Sequence, residues 1–138
     1  IIAVRDVIRG NRMVVCDDSI VRGTQLKNFT IKKLWDNGAR EIHLRVACPP
    51  LMYPCIYGSS TRTKGELAAR KAIRSLTGKD QESIAPYLNP KTRAYREMVE
   101  WIRKDLNVTS LKYLTIDEMI DAIGLPEEDL CLYCWRGC

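Results

Sequence analysis

No stretch of this chain approaches the ~18 consecutive apolar residues of a membrane span, so no transmembrane helix is read from it. Blocks of five or six like charges are also missing, and the formal charge is only +5, which argues against a nucleic-acid partner. The N-terminus, Ile1-Ile2-Ala3-Val4-Arg5-Asp6, lacks the charged start, apolar core and cleavage site of a signal peptide. It lacks an initiator Met as well, and the expectation is a piece of a longer chain. Repeats and low-complexity tracts do not occur. There is one His, His43, and it sits in a strand pattern opposite Ile42, Leu44 and Val46, which marks it as a packing or hydrogen-bonding residue, not a catalyst. Trp35, Trp101 and Trp135 have no spacing suited to stacking bases and are read as core or interface residues.

What is present describes an ordinary soluble domain. The 138 residues are 46% apolar and 28% charged, enough for one core and too apolar for disorder. Six Cys are unevenly placed. Cys16 and Cys48 follow apolar runs and read as small buried groups, Cys55 falls in a loop, and Cys131, Cys134 and Cys138 crowd the C-terminus. Without a secretory signal, reduced thiols in a cytoplasmic setting are the simpler reading.

Met13-Val14-Val15-Cys16 is a short apolar run suited to a parallel strand covered on both faces. A helical pattern from Thr24 to Asn37 follows, with Leu26, Phe29, Ile31 and Leu34 as inward residues and Gly38 as its stop. Glu41 to Ala47 alternates as a second strand before Pro49-Pro50. Strand, helix and strand form a βαβ unit. After a Pro- and Tyr-rich loop from Leu51 to Ser60 the chain turns helical. Thr63 and Glu66 have capping-box spacing ahead of a helix ending near Leu76, and Thr115 and Glu118 repeat that spacing ahead of one ending at Gly124. Tyr95, Met98, Val99, Ile102 and Leu106 mark a one-sided helix between them. Residues 77–90 read as a connection or insertion.

The chemistry-bearing segment is Val14-Val15-Cys16-Asp17-Asp18-Ser19-Ile20-Val21-Arg22-Gly23-Thr24. Open parallel sheets bind ligands at the C-terminal ends of their strands. Two acids there can accept hydrogen bonds from vicinal hydroxyls and support a hydrated Mg²⁺. Ser19 to Thr24 supply hydroxyls, successive N–H groups and a flexible Gly23 just before a helix N-terminus, which together make an anion cradle. A bare Asp-Asp pair also serves simply to solvate a strand-to-helix turn. Arg22 either contacts the anion or braces the loop.

The full string resembles the signature of type I phosphoribosyltransferases, and Asp-Asp-Ser-Ile-Val-Arg-Gly-Thr closely resembles the version in glutamine phosphoribosyl pyrophosphate (PRPP) amidotransferases, the amidophosphoribosyltransferase family. The segments His43-Leu44-Arg45-Val46-Ala47-Cys48-Pro49-Pro50, Tyr53-Pro54-Cys55-Ile56-Tyr57-Gly58 and Leu130-Cys131-Leu132-Tyr133-Cys134-Trp135-Arg136-Gly137 extend the likeness. The resemblance implies an α/β chain: the C-terminal part of a type I phosphoribosyltransferase fold over 1–50, then a helical C-terminal region over 51–138, with residues 77–90 similar to archaeal-type members. It implies that Asp17 and Asp18 hold ribose and Mg²⁺ and that Ser19, Ile20, Val21, Arg22, Gly23 and Thr24 hold the 5′-phosphate. Gln25 departs from the Thr common in the family.

A lone Cys-x-x-Cys is compatible with redox chemistry, half a zinc site or two buried thiols. The resemblance implies instead that Cys55, Cys131 and Cys134 ligate a [4Fe–4S] cluster, with a fourth ligand upstream unless Cys48 or Cys138 substitutes. It further implies that the whole enzyme converts PRPP, glutamine and water to 5-phosphoribosylamine, glutamate and pyrophosphate in the first step of purine biosynthesis. Ammonia would come from an N-terminal glutaminase domain not in this segment, and homo-oligomers are typical. The pyrophosphate loop and mobile flap are also missing, so the isolated chain is expected to be inactive, with unpaired strand edges and an uncovered apolar face. Another type I phosphoribosyltransferase fits the loop but leaves the three Cys unexplained. A non-catalytic PRPP-binding or iron–sulfur module is the reading outside enzymes.

Overall fold

A computed structural model describes residues 3–58 and 63–137. After a short helix α1 (Arg5–Ile8), three parallel strands, β1 (Arg12–Asp17), β2 (Glu41–Val46) and β3 (Ser110–Tyr113), lie side by side in that order. β1 and β2 are in register from Arg12 opposite Glu41 to Asp17 opposite Val46, and β2 meets β3 from His43 opposite Ser110 to Val46 opposite Tyr113. The sequence pattern anticipates β1 and β2 but not β3. Ser110-Leu111-Lys112-Tyr113 is only four residues long and lies inside the region read as helical. Its pairing partner lies far back in the chain, which leaves no local signal.

Consecutive parallel strands laid down in one direction by right-handed crossovers put every connecting helix on the same face. The burial pattern agrees with this. Ile42, Leu44 and Val46 are buried, and Met13, Val15, Leu111 and Tyr113 share their face by register. The other face carries Val14, Cys16, His43, Arg45, Ser110 and Lys112, with Val14 65% exposed. β1 is therefore covered on one face, not two, and Cys16 is exposed where a buried thiol is expected. His43 joins a polar ladder on that open face, its ring nitrogens 2.8 Å from the Ser110 hydroxyl and 2.9 Å from the Glu41 carboxylate.

The helix after the loop, α2, is wound in two ways: Leu26–Ile31 as a π-helix, then Lys32–Asp36 as an α-helix. A π turn aligns residues five apart. That brings Leu26 and Ile31 to the core side and turns Phe29 outward to 70% exposure, against the expectation from α periodicity. Phe29, Val4, Val7, Met13 and Leu34 line an apolar groove of about 340 Å³ beside β1, an edge strand of the sheet.

The crossover from β2 to β3 holds α3 (Ala68–Thr77), α4 (Ala85–Leu88) and α5 (Arg93–Leu106). Tyr95, Met98, Ile102 and Leu106 of α5 are buried as their spacing predicts, each contributing on the order of 1.5–3 kcal/mol by removal from water. Val99 is only partly covered. The capping box expected at Thr63 does not form. Lys64–Glu66 makes a 3₁₀ turn, Leu67 is the residue preceding α3, and the Glu66 carboxylate is engaged elsewhere. Residues 77–90 pack rather than loop out, since Ile84 and Tyr87 are buried and the Gln81 carbonyl accepts a bond from the fully buried Arg70.

Helix α6 (Ile116–Ile123) starts with the anticipated box: Thr115 Oγ1 accepts from Glu118 N at 3.1 Å, and Glu118 Oε2 accepts from Thr115 N at 2.7 Å. Thr115→Val is expected to cost about 1 kcal/mol through loss of the cap. The check is amide exchange across α6, which should quicken about fivefold, and unchanged protection would show that tertiary contacts alone hold the helix. A last turn, α7 (Tyr133–Arg136), ends the described chain. No helix among the described residues is long and apolar enough to cross a membrane.

Candidate functional site

The segment from Asp17 to Leu26 lines a cavity of about 610 Å³ at the C-terminal end of β1. All eight residues expected to form the cradle, Asp17 to Thr24, lie on its wall. β1 is held to its end by Ala47 N, which donates to the Asp17 carbonyl at 2.9 Å. The chain then turns away from the sheet, and Ile20 anchors it in the core at 4% exposure. The Val21 carbonyl accepts from Ala68 N at 2.8 Å, and Arg22 Nη2 reaches Glu66 Oε2 at 2.6 Å.

Gly23 has φ +75°, the left-handed region open chiefly to glycine. A Cβ there would stand 3.1 Å from Leu106 Cδ2 of α5. The Gly23 carbonyl accepts from Lys27 N at 2.9 Å, opening α2, and Lys27 Nζ bonds Asp105 at 2.8 Å. Ser19 is half-buried, while Thr24 and Gln25 face solvent.

Electrostatically the acid pair is under tension. Burial raises the Asp17 pKa above the ordinary carboxylate range, and Asp18 adds to the rise both by hydrogen bonding and by charge. Among the described residues no ion pair engages either acid. Adjacent carboxylates, one partly buried and one exposed, without a counter-charge suit a hydrated divalent cation and ribose hydroxyls.

The cysteines divide differently from their sequence grouping. The Cys134 carbonyl accepts from both Met52 N (2.8 Å) and Tyr53 N (2.9 Å), and Trp135 Nε1 donates to the Pro49 carbonyl at 3.0 Å. These bonds seat the C-terminal segment on the stretch after β2. The Tyr53 and Tyr133 rings pack 5.7 Å apart, and a Cβ on Gly137 would lie 2.8 Å from the Tyr53 ring. The opposite surroundings of Tyr53 are cationic, with Lys64 Nζ and the Arg70 guanidinium 5.4 and 5.5 Å from the ring centroid.

Cys55 and Cys134 are hydrogen-bonded thiols. Burial raises the Cys134 pKa first, followed by the charge and hydrogen bond of Cys55 and then the charge of Cys131. Cys131 itself is exposed, and no three His, Cys, Asp or Glu among the described residues are gathered to hold a single metal ion. Cys138 lies outside the described residues. Cys48 is buried as expected, and burial pushes its thiol up to about 11. The charges of Asp18, Asp17 and Cys134 act on it in the same sense, so this one thiol senses both the acid pair and the Cys segment. Neither that proximity nor the Glu66 contact has a signal in the local sequence.

The three parallel strands and their helices, with a glycine-bearing loop opening a helix beyond an acid pair, form part of a type I phosphoribosyltransferase fold. No family model matches the chain. Its relatives are specific, however. It is 38% identical over 134 residues to the amidophosphoribosyltransferase of Methanothermobacter thermautotrophicus, covering 97% of this chain and 23% of that protein. To the amidophosphoribosyltransferase of Pyrococcus horikoshii it is 53% identical over 74 residues, 53% of this chain and 16% of that one. The solved glutamine PRPP amidotransferase from B. subtilis, complexed with ADP and GMP, superposes with a TM-score of 0.68 at 31% identity, covering 99% of this chain and 25% of that chain. The chain belongs to the amidophosphoribosyltransferase family and spans about a quarter of the length of the relatives it matches.

Proposed function

We propose that this chain supplies the ribose and 5′-phosphate half of the PRPP site of an amidophosphoribosyltransferase acting at the entry to purine biosynthesis. The observation that carries this reading is one cavity lined by both Asp17 and Asp18 and by Ser19 to Thr24. The loop N–H groups and the N-terminus of α2 attract a phosphate. Asp17 and Asp18 accept the ribose hydroxyls and would hold Mg²⁺, whose charge would steady the departing pyrophosphate.

The reaction displaces pyrophosphate from C1 by ammonia, so the sugar passes through an oxocarbenium-like state. A carboxylate pair fixed beneath the ribose positions it and offsets that charge without forming a bond to it. Glutamine-derived ammonia, a glutaminase domain, a homo-oligomeric state and a cytoplasmic location belong to the same reading, with 1–50 forming the PRPP-binding part and 51–138 the Cys-bearing part.

Cys55, Cys131 and Cys134 would provide three thiolates to a [4Fe–4S] cluster, the fourth lying upstream in the longer protein. Such a cluster spreads its thiolates over the corners of a cube, wider than a single ion does. What supports the reading is that Cys134 is close enough to Cys55 for a hydrogen bond and feels the charge of Cys131. The full-length protein, purified without oxygen, is expected to contain iron and sulfide in equal amounts, to absorb in the visible, and to release pyrophosphate from PRPP when glutamine or ammonia is present. Zinc without sulfide would overturn the cluster assignment, and no pyrophosphate release from PRPP with either glutamine or ammonia the enzymatic one.

A further inference from the structure

The stretch just before α3 is built as a base for the anion loop. Leu67 is fully buried, Ala68 and Ala69 are buried behind it, and the Gly65 carbonyl is tied back to Arg74 Nη2 at 2.6 Å. From this base two adjacent contacts reach the middle of the loop: Ala68 N to the Val21 carbonyl at 2.8 Å and Glu66 Oε2 to Arg22 Nη2 at 2.6 Å. Gly23 and Ile20 hold the loop from the other side against Leu106.

We propose that Glu66 is a positioning residue for the phosphate cradle, with Arg22 serving as the strut between them and not as a ligand of the phosphate. The inference rests on the reading of the cavity as a PRPP site. Two physical points support it. A bidentate phosphate contact uses two N–H groups of one guanidinium edge, whereas Arg22 Nη2 is held by the Glu66 carboxylate, which turns the side chain toward α3. An unpaired Glu this close to an anion site would repel the ligand, and Arg22 cancels that charge while leaving the loop N–H groups and the α2 terminus to bind. The pair is 48% and 41% exposed in its side chains, so it contributes little to overall stability; its effect is on where Val21 to Gly23 sit.

Exchanging the charges separates a strut from a ligand. In the full-length protein, Arg22→Glu and Glu66→Arg are each expected to raise KM for PRPP roughly tenfold, with kcat within about twofold, because binding geometry is lost and not the chemistry. The double variant Arg22→Glu/Glu66→Arg is expected to return KM to within about threefold of the parent, a coupling that only contacting residues show. If the double variant is as poor as Arg22→Glu alone, Arg22 is a phosphate ligand and the proposal fails. If both single variants keep the parental KM, the contact has no role and the proposal also fails. Glu66→Gln guards against a misfolded variant: with unchanged circular dichroism it should raise KM about threefold. Failure of the underlying reading has a separate signature, parental PRPP kinetics in Asp17→Asn.

Discussion

Asparagine at both 17 and 18 in the full-length protein is expected to lower kcat/KM for PRPP by about 10²–10³, the range found when a preorganised electrostatic group is removed from a reacting centre. The substitution keeps shape and removes charge. Glutamine hydrolysis, which uses other residues, should continue, so the two half-reactions measured separately locate the defect. Unchanged PRPP kinetics would remove the acid pair from the site. The pH dependence has a defined sign. Burial, reinforced by Asp18, raises the Asp17 pKa. On the proposed reading the ionised pair holds PRPP·Mg²⁺, so affinity should fall on acidification from a higher pH than an ordinary carboxylate would allow. Stability runs the other way: a raised folded-state pKa favours the fold at low pH and loses that contribution as pH rises through it. The ligand-free double Asn variant should therefore be no less stable than the parent at neutral pH while losing PRPP turnover, a site that gives up stability for function.

The second large effect is expected at Gly23. Two obstacles meet any side chain there: the backbone at φ +75° and the Leu106 methyl that would lie 3.1 Å from a Cβ. A β-branched residue suffers most from the first, and holding it in that region costs about 1–3 kcal/mol. Gly23→Val should raise KM for PRPP by roughly 10–100-fold, since a distortion of that cost falls within the loop proposed to cradle the phosphate. Leu106→Ala combined with Gly23→Ala sorts the two causes. Removing the leucine relieves the contact but leaves the torsion, so the pair should recover part of the loss seen in Gly23→Ala alone. Full recovery would mean that packing alone sets the requirement, and none that the torsion does.

The β1, loop, α2 and β2 sequence is legible because each step is announced within a few residues: an apolar run, two acids, a glycine, a helical stripe, an alternating run. The loop residues that line the cavity are contiguous for the same reason. What is hidden depends on distance along the chain. β3 has no pattern of its own and exists through Thr109 and Ser110 meeting Ile42 and His43. The π winding of Leu26–Ile31 looks like an ordinary helix until the core chooses which side chains to bury. Glu66 has the spacing of a capping box with Thr63, yet the competing partner, Arg22, comes from 44 residues earlier. The three Cys are recognisable through resemblance, whereas the exposure of Cys48 to the charges of both Cys134 and the acid pair is a product of the fold.

The one-way march of the strands also sets an order of assembly. β2 joins β1 after a single short crossover, so the unit holding the acid pair and the phosphate loop closes at small entropic cost. β3 can dock only after α3, α4 and α5 have been laid down, and the C-terminal turn that seats Cys134 on Met52 and Tyr53 comes later still. Non-local pairings of this kind are slow to form. On loop-closure grounds the cradle is expected to close first, its Glu66 base next, and the thiol segment, like a clasp, last.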